Sequence, residues 1–155
     1  MIVGGAVIFG LIIILSCNSS NEKQSNIHFK DKLDIVSVID SFINIINKKD
    51  LTIVNKVIDN SAYRTKYSIS KDSSFFEKNK SDFSFLKKSK AKYFEKYYEP
   101  IINTDGFISS VWLPYEFFID NEFSHCGNNM FFLMKKNNKW IITDYAYSVN
   151  KNCGK

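Results

Sequence analysis

Between Gly106 and Val149 the chain reads GFISSVWLPYEFFIDNEFSHCGNNMFFLMKKNNKWIITDYAYSV. Three runs rich in aromatic and β-branched residues are separated by two short polar breaks, Asp120-Asn121 and Asn137-Asn138. Such runs suit a pleated, half-buried surface. Asn and Asp tolerate the positive φ that tight antiparallel turns require. The pattern predicts a three-stranded meander over 107–119, 122–136 and 139–149. These strands exceed the common length of about 5–6 residues, so the sheet must bend or be covered.

The turns suggest a register. If Ile119 pairs with Glu122, His125 falls opposite Glu116 and Asn129 opposite Trp112. If Lys136 pairs with Lys139, Leu133 meets Ile142, Phe131 meets Asp144 and Cys126 meets Val149. Alternation then puts Trp112, Glu116, His125, Asn129, Trp140, Ile142 and Asp144 on one face. The other face carries Val111, Leu113, Phe117, Met130, Phe132, Tyr145 and Tyr147. A one-residue slip would exchange the two sets.

Upstream, apolar residues at 35, 38, 39, 42, 45 and 46 have helical spacing and predict a helix over 31–48. Asp50 is placed to cap a shorter helix over 51–58. Residues 63–69 alternate weakly, as a short edge strand would. Residues 70–81 read as a loop or a poorly formed helix, 82–90 as a short helix and 92–103 as another strand. Pro100 fits an edge position, and Pro114 suggests a bulge or kink. Helices followed by an antiparallel meander define an α+β domain.

The amino terminus is of a different character. Ile2 to Ser16 is almost wholly apolar and uncharged. It is short for a membrane span of about 20 residues and suits the apolar core of a signal peptide. Ile14-Leu15-Ser16-Cys17 resembles the bacterial lipobox, although no Lys or Arg precedes the apolar run. That resemblance implies lipidation at Cys17; an uncleaved membrane anchor is the other reading. Either way residues 1–17 tether the protein in the cell envelope with its domain outside the cytosol. The polar, aperiodic stretch 18–30 is expected to be a flexible linker, and 31–155 the folded domain. The formal charge of +5 comes almost entirely from lysine, with Arg64 the one arginine. That pattern argues against a nucleic-acid site, which would want a denser basic stripe.

The domain resembles the nuclear transport factor 2-like superfamily, nearest its lumazine-binding-like and bacterial lipoprotein members. The resemblance rests on Val111-Trp112-x-x-Tyr115-x-Phe117, Ser124-His125-Cys126-Gly127, Phe131-x-Leu133 and Lys139-Trp140-x-Ile142. Lys49-Asp50-Leu51 after the first helix adds to it. It implies a cone: a curved antiparallel sheet wrapped around a long N-terminal helix, with a pocket at the open end and dimerisation through the outer sheet face. It also implies that Trp140 and Ile142 point inward. Trp112, Glu116, His125, Asn129 and Asp144 would then line the pocket.

Enzymes of this fold place an acid and a base inside the cone. Here His125 paired with Glu116, and an inward Asp144, are the catalytic candidates. The competing reading makes them a structural hydrogen-bonded pair and a carboxylate satisfied by packing. No complete catalytic set is recognisable. The expected function is therefore a membrane-tethered, non-catalytic small-ligand-binding or scaffold domain. The alternative is an isomerase, dehydratase or cyclase working without cofactor on a hydrophobic carbonyl or polycyclic compound. The His and Cys positions show no metal-binding spacing. Cys126 and Cys153 either form a disulfide that ties down the tail or remain two separate thiols.

Overall fold

The computed structural model describes residues 13–69 and 73–153, with side chains from 29 to 68 and 73 to 153. Most of the apolar leader, the side chain of Cys17 and the last two residues lie outside the described residues. Helix α1 spans Ile13–Lys48. Its backbone runs through 18–30, so the stretch read as a linker coil is helical here. A 3-10 turn, Leu51–Ile53, leads into the one-turn helix α2, Val54–Val57. Asp50 caps the turn by accepting from the Thr52 amide at 3.0 Å.

Among the described residues seven strands follow: β1 (Ile58–Ile69), β2 (Ser74–Lys80), β3 (Tyr93–Tyr97), β4 (Ile101–Thr104), β5 (Ile108–Ile119), β6 (Glu122–Lys136) and β7 (Lys139–Asn150). The short helix α3, Ser84–Lys88, lies between β2 and β3. The order across the sheet is β2-β1-β7-β6-β5-β3, with β4 also beside β5. All pairings are antiparallel except that of β1 with β7.

The meander appears where the aromatic runs predict it. Asp120, Asn121, Asn137 and Asn138 all have positive φ, from 51° to 70°. Upstream the sequence reading needs three corrections. The stretch 63–69 is part of a longer strand that sits inside the sheet. Residues 74–80 are a strand, although none is buried and no apolar alternation announces them. The strand expected over 92–103 is broken at Glu99-Pro100 into β3 and β4. Pro114 lies opposite that break in β5, while its pairing with Asn128 in β6 is regular. The proline cannot donate to a ladder, and it is the β3–β4 edge that gives way.

The register holds near each turn and then slips. Ser124 is an extra residue in β6, so Phe118 still pairs with Phe123 but Phe117 pairs with His125. Thr143 is an extra residue in β7: Ile142 still faces Leu133, but Tyr145 faces Phe131. Each bulge inverts the alternation beyond it. Trp140 and Ile142 point inward, as the resemblance implies, and so do His125 and Asn129. Val111, Leu113, Tyr115, Phe117, Tyr145 and Tyr147 turn inward as well, while Trp112, Glu116 and Asp144 leave the inner face.

The sheet is curved and unclosed, with α1 in its concavity. Ile35, Ile39, Phe42 and Ile45 of α1 meet Val111, Leu113, Phe131, Leu133 and Ile142, all at most 3 % exposed. Burying apolar area of this kind is the main stabilising term of the fold. Phe42 packs edge-on against Phe131 and Tyr145, with centroids 4.9 and 5.0 Å away.

One end of the cone is shut by a polar knot. Asp31, 2 % exposed, accepts from Lys135 Nζ and from Trp140 Nε1 at 3.2 Å. Burial pushes its carboxyl upward, but the Lys135 and Trp140 hydrogen bonds and the Lys135 charge outweigh that and hold its pKa below the usual range.

Candidate ligand pocket

At the other end the core is not filled. A cavity of about 360 Å3 lies between α1, α3 and the inner face of the sheet. Phe42, Phe83, Tyr93, Phe117, Tyr145 and Val149 form its apolar walls; Glu95, His125, Asn129, Arg64, Lys66 and Lys151 supply polar groups. The volume and the mixture of aromatic walls with a few polar groups are those of small-molecule sites.

Glu95 is the residue that the sequence reading passes over. It is 6 % exposed and faces the cavity from β3. Asn47, near the end of α1, fixes that strand: its side chain accepts from the Glu95 amide at 2.6 Å and donates to the Glu95 carbonyl at 3.0 Å. The curl of the sheet brings Asn129 of β6 within reach, and its Nδ2 donates to Glu95 Oε1 at 2.7 Å. Burial pushes the Glu95 pKa up to about 7, and the Asn129 bond only partly offsets it. The signal was the alternation Tyr93-Phe94-Glu95-Lys96-Tyr97, which sets a lone carboxyl between two tyrosines of one strand face.

His125 lines the pocket but is not paired with a carboxylate. Its ring stacks on Phe117 at 5.0 Å and meets Tyr115 edge-on at 5.7 Å, and Nδ1 lies 3.0 Å from Ser124 Oγ. Burial lowers its pKa to about 4, with the charges of Lys66 and Lys151 acting in the same direction. The imidazole is neutral at physiological pH.

Three of the five pocket residues read from the sequence are elsewhere. Glu116 pairs with Lys96 and Cys126 in the ladders and faces away from the cavity. Trp112 is 44 % exposed on the outer face. Asp144 is exposed, and its Oδ1 accepts from the Tyr63 amide at 3.0 Å, where the β1–β7 register shifts. The His125–Glu116 pair therefore does not form. The catalytic trio is dispersed by the bulges at Ser124 and Thr143.

Cys126 and Cys153 are joined by a disulfide, with Cα atoms 6.0 Å apart. It holds the segment after β7, including Lys151, against the mouth of the pocket. Gly127 is a close-approach position: a Cβ there would lie 2.8 Å from the Ser148 carbonyl carbon. Tyr115 Oη donates to that same Ser148 carbonyl oxygen at 2.8 Å, stitching β5 across to β7. Among the described residues no group of His, Cys, Asp and Glu is arranged to hold a metal ion.

No known sequence family matches this chain, and no curated protein matches it in sequence. Solved structures do match in shape. A protein of unknown function with a cystatin-like fold from Nostoc punctiforme superposes with a TM-score of 0.63 at 14 % identity, over 80 % of this chain and 94 % of that one. A nuclear transport factor 2-like protein of unknown function from Pseudomonas putida gives 0.62 at 8 % identity, covering 81 % and 91 %. A nuclear transport factor 2-like protein with a cystatin-like fold from Novosphingobium aromaticivorans gives 0.61 at 8 % identity, covering 94 % and 95 %. The chain has the nuclear transport factor 2-like, cystatin-like α+β fold. At these identities the likeness extends to the fold alone.

Proposed function

We propose that this protein is a small-ligand-binding module, tethered to the membrane through residues 1–17, that holds an apolar compound in its cone without transforming it. The observation that carries the reading is the unfilled cavity of about 360 Å3, walled by aromatic rings and carrying a built polar pair, Glu95 with Asn129. A pure scaffold would have no reason to leave this end of the core unpacked, because interiors are otherwise close-packed. Among the described residues no helix is long and apolar enough to cross a membrane. The tether rests on the lipobox-like segment, and a Cys17→Ser variant should accumulate as an unlipidated precursor of higher mass. Native mass spectrometry of the full chain released from detergent should show a co-purifying small molecule at one per chain. Val149→Trp, which fills the cavity, should lose it. A wild type that carries no adduct, and a V149W variant with unchanged thermal shifts toward apolar compounds, would remove the reading.

A second reading has one observation in its favour. A carboxyl titrating at about 7 suits proton shuttling, since a general base works best with a pKa near the operating pH. That would make the protein a cofactor-independent isomerase, dehydratase or cyclase with Glu95 as the proton carrier. Solvent deuterium entering the bound ligand, and ceasing to enter it in Glu95→Gln, would establish the enzyme.

The outer sheet face is the surface we assign to a second copy of the chain. Register neighbours Ile101 and Trp112, then Ile108 and Met134, with Phe132 beside them, form an exposed apolar row. Contiguous patches of this kind mark interfaces. Of the face first read for this role, only Met130 and Phe132 remain outside. Light scattering should give twice the chain mass, and Trp112→Glu should halve it.

A further inference from the structure

The polar lining of the cavity is lopsided. Arg64, Lys66 and Lys151 line it together with a single carboxyl, Glu95. Arg64 and Lys66 come from β1, in register with Tyr145 and Tyr147 of β7. Lys151 is brought to the same mouth by the Cys126–Cys153 link. Arg64 makes one long contact to Glu77, 3.5 Å from a terminal guanidinium nitrogen, and its Nε is buried without a partner. Lys66 and Lys151 enter no ion pair among the described residues. Glu95 does not neutralise the group: its hydrogen bond comes from Asn129.

We propose that the ligand of this pocket is a small apolar carboxylate, its hydrophobic body against Phe83, Tyr93, Phe117 and Tyr145 and its anionic group at Arg64, Lys66 and Lys151. The inference rests on the pocket being a ligand site. Its physical basis is that a cleft lined by one sign of charge, with low-dielectric walls, focuses its field on an ion of the opposite sign. Charge-assisted hydrogen bonds from guanidinium and ammonium to carboxylate are also the stronger kind. A neutral ligand could offer an acceptor to Arg64 but would leave the three positive charges unanswered. A cationic ligand would meet three like charges.

The test compares two probes with the same apolar body, 2-naphthylacetate and 2-(2-naphthyl)ethanol. Each is titrated into the full chain at neutral pH, and the NMR shift of the Asn129 side-chain amide is followed. The acid should bind at least about tenfold more tightly than the alcohol, the scale of a charge-assisted hydrogen bond. Lys66→Gln and Lys151→Gln should each weaken the acid several-fold and leave the alcohol unchanged. Equal binding of both probes would overturn the anion preference while leaving the pocket reading intact. Tighter binding of the acid that neither lysine variant alters would also overturn it. If neither probe moves the Asn129 amide, and Val149→Trp behaves as the wild type does, the pocket reading itself falls, and this inference with it.

Discussion

The two ends of the cone each bury a carboxyl, and they treat it in opposite ways. At the shut end Asp31 meets the Lys135 ammonium and the Trp140 N–H, and its pKa is held below the usual carboxylate range. At the open end Glu95 meets only the Asn129 amide, and its pKa rises to about 7. Burial penalises charge at both; what differs is whether a cation answers it. The end that closes the fold keeps its charge, and the end that forms the cavity holds a carboxyl that is only partly ionised at neutral pH. The contrast separates a carboxylate answered by a cation from a carboxyl that meets only a neutral amide.

Removing the partner at the shut end should have the largest effect. Asp31→Ala strands Lys135 and the Trp140 N–H, and should cost about 4 kcal/mol in urea unfolding, the scale of a broken buried pair. The native contribution of Asp31 has a definite pH sign. A lowered folded pKa gives stability that is present above the unfolded value and lost as pH falls through the folded one. The shut end should therefore loosen as pH falls below the ordinary aspartate value of 3.8.

Opening the disulfide should come next. Cys153→Ser releases a crosslink spanning 27 residues, worth about 3 kcal/mol in the chain-entropy view. Thermal unfolding of the variant should match that of the reduced wild type. If the two differ, the cysteine contributes something besides the crosslink.

At the open end the pH dependence reverses. Because the folded pKa of Glu95 is raised, its favourable contribution is complete below 4.5 and is lost as pH rises through about 7. Glu95→Gln should match the wild type near pH 4 and be more stable than it near pH 8, by roughly 2–3 kcal/mol. A stability difference independent of pH would mean that the Glu95 pKa does not change on folding.

His125 is less buried than Glu95, so solvent screening should make its effect the smallest. Its depressed pKa makes the unfolded state bind the extra proton first, so stability falls as pH drops from 6.5 toward about 4. His125→Phe should flatten that slope and leave the Glu95 slope in place. Unfolding midpoints collected from pH 4 to 8 would read both.

The sequence makes the meander legible because its turns announce themselves: residues suited to positive φ stand between runs of strand-forming residues. Helix α1 is equally plain from Ile35, Ile39, Phe42 and Ile45. Strand β2 is not, because all of its residues face solvent to some degree and only pairing with β1 orders it. The shorter helix expected over 51–58 ends at Val57, and the Asp59 side chain accepts from the Ser61 amide within β1. The site was half legible. His125 and Asn129 follow from Leu133 by simple alternation along one strand. Trp112, Glu116 and Asp144 had to be inferred across a turn or along β7, and each path crosses an inserted residue. Ser124 and Thr143 are chemically ordinary there, so nothing in their identity marks the insertion. Glu95 has only the Tyr93–Tyr97 alternation to mark it, because its partner Asn129 reaches it from two strands away.

The single parallel pairing also decides when this chain can fold. Ile58 lies beside Ile142, and the Tyr63 amide finds its acceptor in Asp144. During synthesis β1 emerges long before its neighbour exists, and the β1–β2 hairpin has no sheet to join until β7 has left the ribosome. Contacts between such distant parts of a chain require the loop to close before they contribute, which slows folding. The exposed Phe75 and Phe76 of β2 are then present on an undocked hairpin for that whole interval. The order of synthesis thus leaves β1 and β2 without their sheet until the chain is nearly complete.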